Sequence, residues 1–349
     1  MSRPRALPLV IVTLAIALVV ASATAGSAKS DDAKSAFASI PNGTQLRVGD
    51  QSTTLQTPLE LSGQATKLPY SIKYANFVGG PPMLEAFNAG ALDVGWMADL
   101  PTLTALAAGL DIKIVAAATD TGNNMKIVAA KGSGIKKLAD LKGKSVAYAK
   151  GTSIQAFLGA ALEKADLTFS DISSVTLPPT AGDFSAAFQS GGVDAAAFSS
   201  VWYHNYVAQN PGALTVVSEA TGLTTGLTFL VTTSKVLNDP VKEAAIADFI
   251  TRQAKAQHWV AANRETWVST YSVGVLKLDR TIAERTLDES GVRQWLPIDT
   301  TTVTKMQSLA DLVYRAQAIS KPVKVKALFD KRYNPTVAAV ATSTAAATK

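Results

Sequence analysis

The stretch Lys150, Gly151, Thr152, Ser153, Ile154 and Gln155 carries the residue types from which an anion site can be built without any catalytic group. An apolar run ends at Ala149, and the residues after it read as a helix start. Thr152 is the expected N-cap, and Gln155 completes a capping box with it. Such a start leaves backbone N–H groups unspent, with the positive end of the helix dipole behind them. An oxyanion fits there with no charged side chain. Every helix needs a cap, so the pattern gains its weight from its place at the end of a sheet strand. A second candidate is Gly79, Gly80, Pro81 and Pro82, where glycine lets the backbone come close and proline pre-forms a first helical turn. A third is Ala98 and Asp99, just before Leu100 and Pro101; Asp99 either caps a helix or touches a ligand. Gln51, Ser52 and Thr53 follow the first strand. Ser199 follows an apolar run further on, and Trp202 and Tyr203 can wall an organic ligand; core packing is the rival role for Trp202.

Other strings carry no chemistry. Gly143, Lys144 and Ser145 resemble the end of a phosphate-binding loop, but Leu138 occupies the required upstream glycine position. Gly132 and Gly134 lack the third glycine of a dinucleotide fingerprint, where Lys137 stands. There is no Gly-x-Ser-x-Gly elbow. His204 and His258 are the only histidines and there is no cysteine, so neither a metal nor a cofactor is expected. Disulfides and thiolate catalysis are excluded.

The elements that must position these residues are announced by a repeat. Met83, Phe87, Gly90, Leu92 and Asp93 recur with the same spacing as Phe184, Phe188, Gly191, Val193 and Asp194. Both copies read as a helix closed by a left-handed glycine, a tight turn and a short apolar strand. Strands are predicted over 45–50, 71–75, 93–97 and 112–118, then over 145–149, 175–177 and 195–198. Helices alternate with them, at 81–89, 101–108, 135–141, 152–164, 180–189 and 201–209. The pattern predicts two similar Rossmann-like α/β lobes with a hinge and an interlobe cleft, since open α/β sheets bind ligands at the carboxyl ends of their strands. The segments 125–130 and 228–232 are expected to pair and carry the two crossings. The expected division is lobe I at 45–131 and 223–335, including C-terminal helices, and lobe II at 132–222.

The flanks differ in composition. Arg3 and Arg5 precede the apolar run 7–21, and Ala23, Ala25 and Ala28 offer small-residue cleavage sites, so 1–28 reads as a secretory signal peptide. The run is short for a membrane span. Segment 29–44 reads as a flexible leader and 336–349 as a disordered tail. Without a cysteine there is no lipid anchor at the N-terminus. The chain of 349 residues is 47% hydrophobic with a formal charge of +6. That excess is compatible with an anionic ligand and too diffuse for nucleic acid.

In sequence order, the 77–93 stretch, Asp99 to Pro101, 135–147, Lys150 to Ser153, 188–194 and Lys321 to Val323 resemble the solute-binding components of ABC importers for nitrate, taurine and alkanesulfonates. The likeness spans about 45–335 and is greatest to the sulfonate type. It implies a type II periplasmic-binding-protein fold and a monomer outside the cytoplasm. It further implies a small organic anion in the cleft, delivered to membrane permease and ATPase subunits. Nitrate or a thiamine-type pyrimidine is the alternative ligand, and sensing the alternative role. Enzymes of the same fold, desulfinases and pyrimidine-precursor synthases, need cysteine or a histidine-and-cysteine-rich site. Three positions depart from the family: Ala98 replaces a glycine, and Tyr203 and His204 follow Trp202 where sulfonate-type members carry aspartate and proline.

Overall fold

The computed structural model describes residues 37–347. The expected signal peptide lies outside the described residues. The chain begins with β1 (Gln45–Asp50), α1 (Gln56–Leu61), β2 (Ser71–Asn76), α2 (Gly80–Asn88), β3 (Val94–Ala98), α3 (Asp99–Ala108) and β4 (Lys113–Thr119). After a first crossing come β5 (Met125–Ala130), β6 (Ser145–Tyr148), α4 (Ser153–Lys164), β7 (Ser173–Thr176), α5 (Ala181–Gln189), β8 (Ala195–Ser199), α6 (Ser200–Gln209) and β9 (Leu214–Val216). A second crossing returns to β10 (Leu227–Thr232), and β11 (Gln294–Leu296) follows the long Pro240–Ala262 helix.

Two sheets result, ordered β11-β4-β10-β3-β1-β2 and β7-β6-β8-β5-β9. β1 pairs in parallel with β2 and β3, as β6 does with β7 and β8. β10 runs antiparallel between β3 and β4, and β5 runs antiparallel between β8 and β9. The expected pairing of 125–130 with 228–232 is therefore corrected. Each is the first strand after a crossing and enters the sheet it has reached, at the equivalent place beside β8 or β3. The boundary at 131 shifts with it, because the crossing is over before Met125 and β5 belongs to the second sheet.

The repeat has a structural cause. Gly90 and Gly191 sit at φ +65° and +68°, the left-handed turn that ends α2 and α5. The acid that follows pins the neighbouring strand. Arg47 N donates to Asp93 Oδ2 at 2.8 Å, and Ser145 N donates to Asp194 Oδ2 at 2.9 Å. Met83 and Phe87 are buried under the first sheet, Phe184 and Phe188 under the second.

Sequence periodicity misplaced several elements. Only Leu138–Leu141 of the expected 135–141 helix is helical, as a 3-10 turn. The tail is a helix, Asn334–Ala347, with Val337 and Val340 buried. The expected leader is tied down at Phe37, whose ring stacks on Tyr333 at 5.5 Å. Both flanks bury apolar side chains in the first sheet's core, and that burial orders them. Among the described residues no helix is long and apolar enough to cross a membrane.

Candidate functional site

The carboxyl ends of β1 and β3 face α4 across a cleft of about 600 Å³. Gln51, Ser52, Thr53, Gly79, Gly80, Ala98, Thr152, Ser153 and Trp202, all singled out from sequence, line it. The β1–α1 loop is shaped by Asp50, which is fully buried. Its carboxylate accepts hydrogen bonds from the backbone N–H of Gln51, Leu55 and Gln56. Burial raises the Asp50 pKa, and those hydrogen bonds oppose the rise. Ser52 and Thr53 take left-handed conformations, φ 52° and 54°, which cost non-glycine residues free energy. Tyr271 Oη donates to Ser52 O at 2.8 Å and Thr53 N donates to Asn76 Oδ1 at 3.0 Å, holding the strained loop open toward the cleft. At Gly80 an added Cβ would stand 2.3 Å from Pro101, so only glycine fits there.

Thr152 is the N-cap of α4, as expected, but the Gln155 side chain reaches Gly151. Thr152 Oγ1 accepts from Ile154 N at 3.2 Å, and Gly151 N donates to Gln155 Oε1 at 2.8 Å. The Gly151 amide is thus already spent. So is the Ser153 hydroxyl, expected to assist an anion: it donates to Asp99 Oδ1 at 2.6 Å. Among the described residues no side chain takes the N–H groups of Thr152 and Ser153. Gly151 itself faces Pro81 at the lobe contact beside the cleft, with 3.4 Å between an added Cβ and the proline ring.

Asp99, 5% exposed, does not act as the N-cap of α3; that place is held by Ala98. Its carboxylate accepts from Leu100 N on its own helix and from two hydroxyls, Ser153 on α4 and Thr225 Oγ1 at 2.6 Å on the second crossing. One buried carboxylate therefore ties both sheets and a crossing together. Further ties lie away from the cleft. Glu289 on the Arg280–Ser290 helix is 3.0 Å from both Lys126 Nζ and His204 Nε2, and Arg315 pairs with Glu163.

Two expected residues stand elsewhere. Tyr203 does not line the cleft; its ring packs edge-on against His204 at 5.0 Å, with Lys126 Nζ 5.8 Å from its centroid. Ser199 lines a neighbouring cavity. Successive residues on α6 point about 100° apart, so the helix that turns Trp202 to the cleft turns Tyr203 away. Trp202 lines the cleft, and its ring also packs on Phe184 at 5.3 Å.

Behind the outer cleft lies an inner compartment of about 280 Å³, sharing Gln51, Ser52, Ala98, Met125 and Ser153 with it. Its wall holds three charged residues, Asp99, Asp120 and Arg293. Burial raises the Asp120 pKa, opposed chiefly by the charge of Arg293. The Arg293 guanidinium lies 5.3 Å from the Trp96 ring and donates no hydrogen bond to any described residue; among the described residues Nε is buried without a partner. Sequence reasoning missed Arg293, which sits just before β11, a strand of only three residues with no periodic signal. Among the described residues no cluster of histidine, cysteine or carboxylate can hold a metal.

The arrangement can grip an anion and enclose an organic body, and it presents no nucleophile with a base. Comparisons with known proteins agree with that geometry. Residues 64–269 match the family described as ABC transporter, phosphonate, periplasmic substrate-binding protein. A protein of Escherichia coli (strain K12) named for aliphatic sulfonate binding is 31% identical over 80% of this chain and 87% of its own length. The alkanesulfonate-binding protein of Xanthomonas axonopodis pv. citri, solved bound to MOPS, superposes with a TM-score of 0.73 at 28% identity, covering 84% of this chain and 99% of that one. The periplasmic aliphatic sulphonate binding protein of Escherichia coli gives a TM-score of 0.71 at 28% identity, over 85% and 99% of the two chains. The chain belongs to the family of periplasmic substrate-binding proteins of ABC transporters.

Proposed function

We propose that this chain captures an organic sulfonate between its two sheets, outside the cytoplasm, and hands it as a monomer to membrane permease and ATPase subunits. The observation that carries the ligand class is Arg293. A guanidinium with unspent donors lines the same compartment as Ser153, whose amide and that of Thr152 are open at the α4 start. Its Nε is buried without an acceptor on a half-buried side chain, which is costly, and an oxyanion supplies acceptors with charge-assisted bonds. The relatives named for sulfonate binding support the same reading. The compartment also discriminates by charge. Asp99 and Asp120 line it, so a singly charged sulfonate meets less repulsion than a doubly charged phosphonate. In the same reading 1–28 is a cleaved export signal, and the two crossings form the hinge on which the lobes close.

Calorimetry and thermal shift on the purified protein test this, with ethanesulfonate, taurine, an alkylphosphonate, nitrate and a neutral pyrimidine. A sulfonate at a hundred times its Kd should stabilise by about 2.7 kcal/mol and raise Tm by about 4 °C. Arg293→Gln should weaken that binding by about 1.5–3 kcal/mol, roughly 10- to 150-fold. A shift with nitrate or pyrimidine and none with any sulfonate removes the reading, as does an Arg293→Gln protein of unchanged affinity.

A further inference from the structure

A second cavity, of about 250 Å³, adjoins the inner compartment, and Thr54, Asp120, Asn124 and Arg293 line both. From this common wall we infer that the cavity receives the organic tail of the ligand, and that the chain selects sulfonates with long or bulky tails over ethanesulfonate-sized ones. The inference rests on the sulfonate reading above.

The cavity has the make-up of a tail pocket. Trp267, Leu276, Leu278, Ala283, Leu287 and Val292 present apolar surface to it. Trp267 and Ala283 are themselves buried, at 8% and 2% exposure, so the walls are fixed by packing. One wall is the Val268–Val275 segment, which winds as a π-helix. That winding is rare over a single turn and recurs at functional sites, because it spreads side chains that an α-helix would close up. Here it carries Tyr271, whose hydroxyl supports Ser52 in the cleft loop, and Ser272, which lines the cavity. The π-helix thus joins the head-group loop to the tail cavity in one element.

Buried polar atoms on the wall point to an occupant. Arg293 Nε and Thr286 Oγ1 have no partner among the described residues. Arg293 stands where a head group would give way to a tail. The Thr286 hydroxyl offers one hydrogen bond to a heteroatom carried along the tail, or to a water beside it. The rival location for a tail is the outer cleft beside Trp202, a larger space at the mouth.

Calorimetric titration with linear 1-alkanesulfonates, from ethane- to octanesulfonate, separates the two locations. In the unaltered chain the affinity should rise about four-fold per methylene, the worth of burying one CH₂, and level off when the cavity is full. The hexane-to-ethanesulfonate affinity ratio is then on the order of a hundred. Ala283→Leu narrows the cavity and should cut that ratio at least ten-fold, with each variant's own ethanesulfonate affinity as reference. Leu287→Ala widens it and should move the levelling point to a longer chain, which keeps the inference testable if the first variant folds poorly. A ratio unchanged in both variants overturns the inference, and so does a ratio that collapses in Trp202→Ala instead. Failure of ethanesulfonate and every longer homologue to bind overturns the head-group reading on which it rests.

Discussion

The two sheets share one strand order around their parallel cores, yet equivalent positions in them do different work. At the repeated acid, Asp93 is 1% exposed and neutralised by two cations, Arg47 at 2.6 Å and Lys242 at 2.8 Å. Its counterpart Asp194 has only the Ser145 amide and hydroxyl. At the helix start after the repeated strand, Asp99 binds hydroxyls from the other sheet and from a crossing. The side chain of its counterpart Ser200 makes one bond, from Oγ to Asn123 O at 3.2 Å. The first sheet carries the buried charge and the second supplies donors to it. A common fold fixes where residues stand, and the partners available at each place decide what they contribute.

Removing the repeated acids should separate the lobes most sharply. Asp93→Ala strands Arg47 and Lys242 around an emptied site and should cost about 3 kcal/mol, the low end for breaking a buried pair. Asp194→Ala loses the Ser145 hydrogen bonds and the weaker attraction of Lys144, and should cost about 1–2 kcal/mol. Chemical denaturation measures both, and equal losses would show that the cations around Asp93 add nothing. Both acids are held below the usual carboxylate range, Asp194 chiefly by the hydrogen bond from the Ser145 amide. Burial pushes the Asp93 pKa up, but hydrogen bonds from Arg47 and Lys242 outweigh it and hold it below the usual carboxylate range. A lowered carboxylate contributes stability above its unfolded pKa, and that contribution is lost as pH falls through the folded value. The stability gap between the unaltered chain and Asp93→Asn should therefore be full at neutral pH and shrink below about pH 4.

The helix-start pair comes next. Asp99→Ala leaves the Ser153 and Thr225 hydroxyls without their acceptor and should cost about 2 kcal/mol, whereas Ser200→Ala should cost about 0.5–1 kcal/mol. Scattering profiles of the ligand-free proteins give the sharper readout. Asp99→Ala should populate a more open form and Ser200→Ala should not; identical profiles would mean that Asp99 is a local brace and no tie between lobes.

A smaller effect is expected at the first crossing. Asp120 has its pKa raised mainly by burial, so the folded chain holds that proton to higher pH than the unfolded chain does. Stability then falls as pH rises between the two values and stays lower above them. Asp120→Asn should gain Tm relative to the unaltered chain on going from pH 4 to pH 7. The Asn124 amide can turn to meet the new side chain, because its Oδ1 has no partner now. With one carboxylate fewer beside Arg293, a sulfonate should bind several-fold tighter, about 1 kcal/mol. Looser binding would place Asp120 among the groups that help hold the ligand.

The cleft loops were legible because they obey local rules. Gly80, Ala98, Thr152 and Ser153 stand at strand-to-helix junctions, where neighbours in sequence set the backbone, and the structure brings them into one cleft. The spacing of Phe87, Gly90 and Asp93 against Phe188, Gly191 and Asp194 fixes two like lobes for the same reason: helix, left-handed turn and strand are short-range choices. What no local rule contains is which groups meet across the chain. Ser153 has the sequence of a free anion-binding hydroxyl and is claimed by Asp99, because a buried carboxylate must find donors wherever the fold places them. Tyr203 was misread beside Trp202 because neighbouring residues on a helix face different surroundings. Arg293 carries no motif, and its importance comes only from being left with unspent donors over Trp96. The tail, with its repeated Ala, Thr and Val, reads as disordered, yet a hydrophobic surface many residues away orders it. Sequence by itself determined the lobes, their turns and the loops at the strand ends, since those depend on residues a few positions apart. The tertiary structure alone decided which donors remain open to a ligand, because hydrogen-bond satisfaction is settled among groups that only folding brings together.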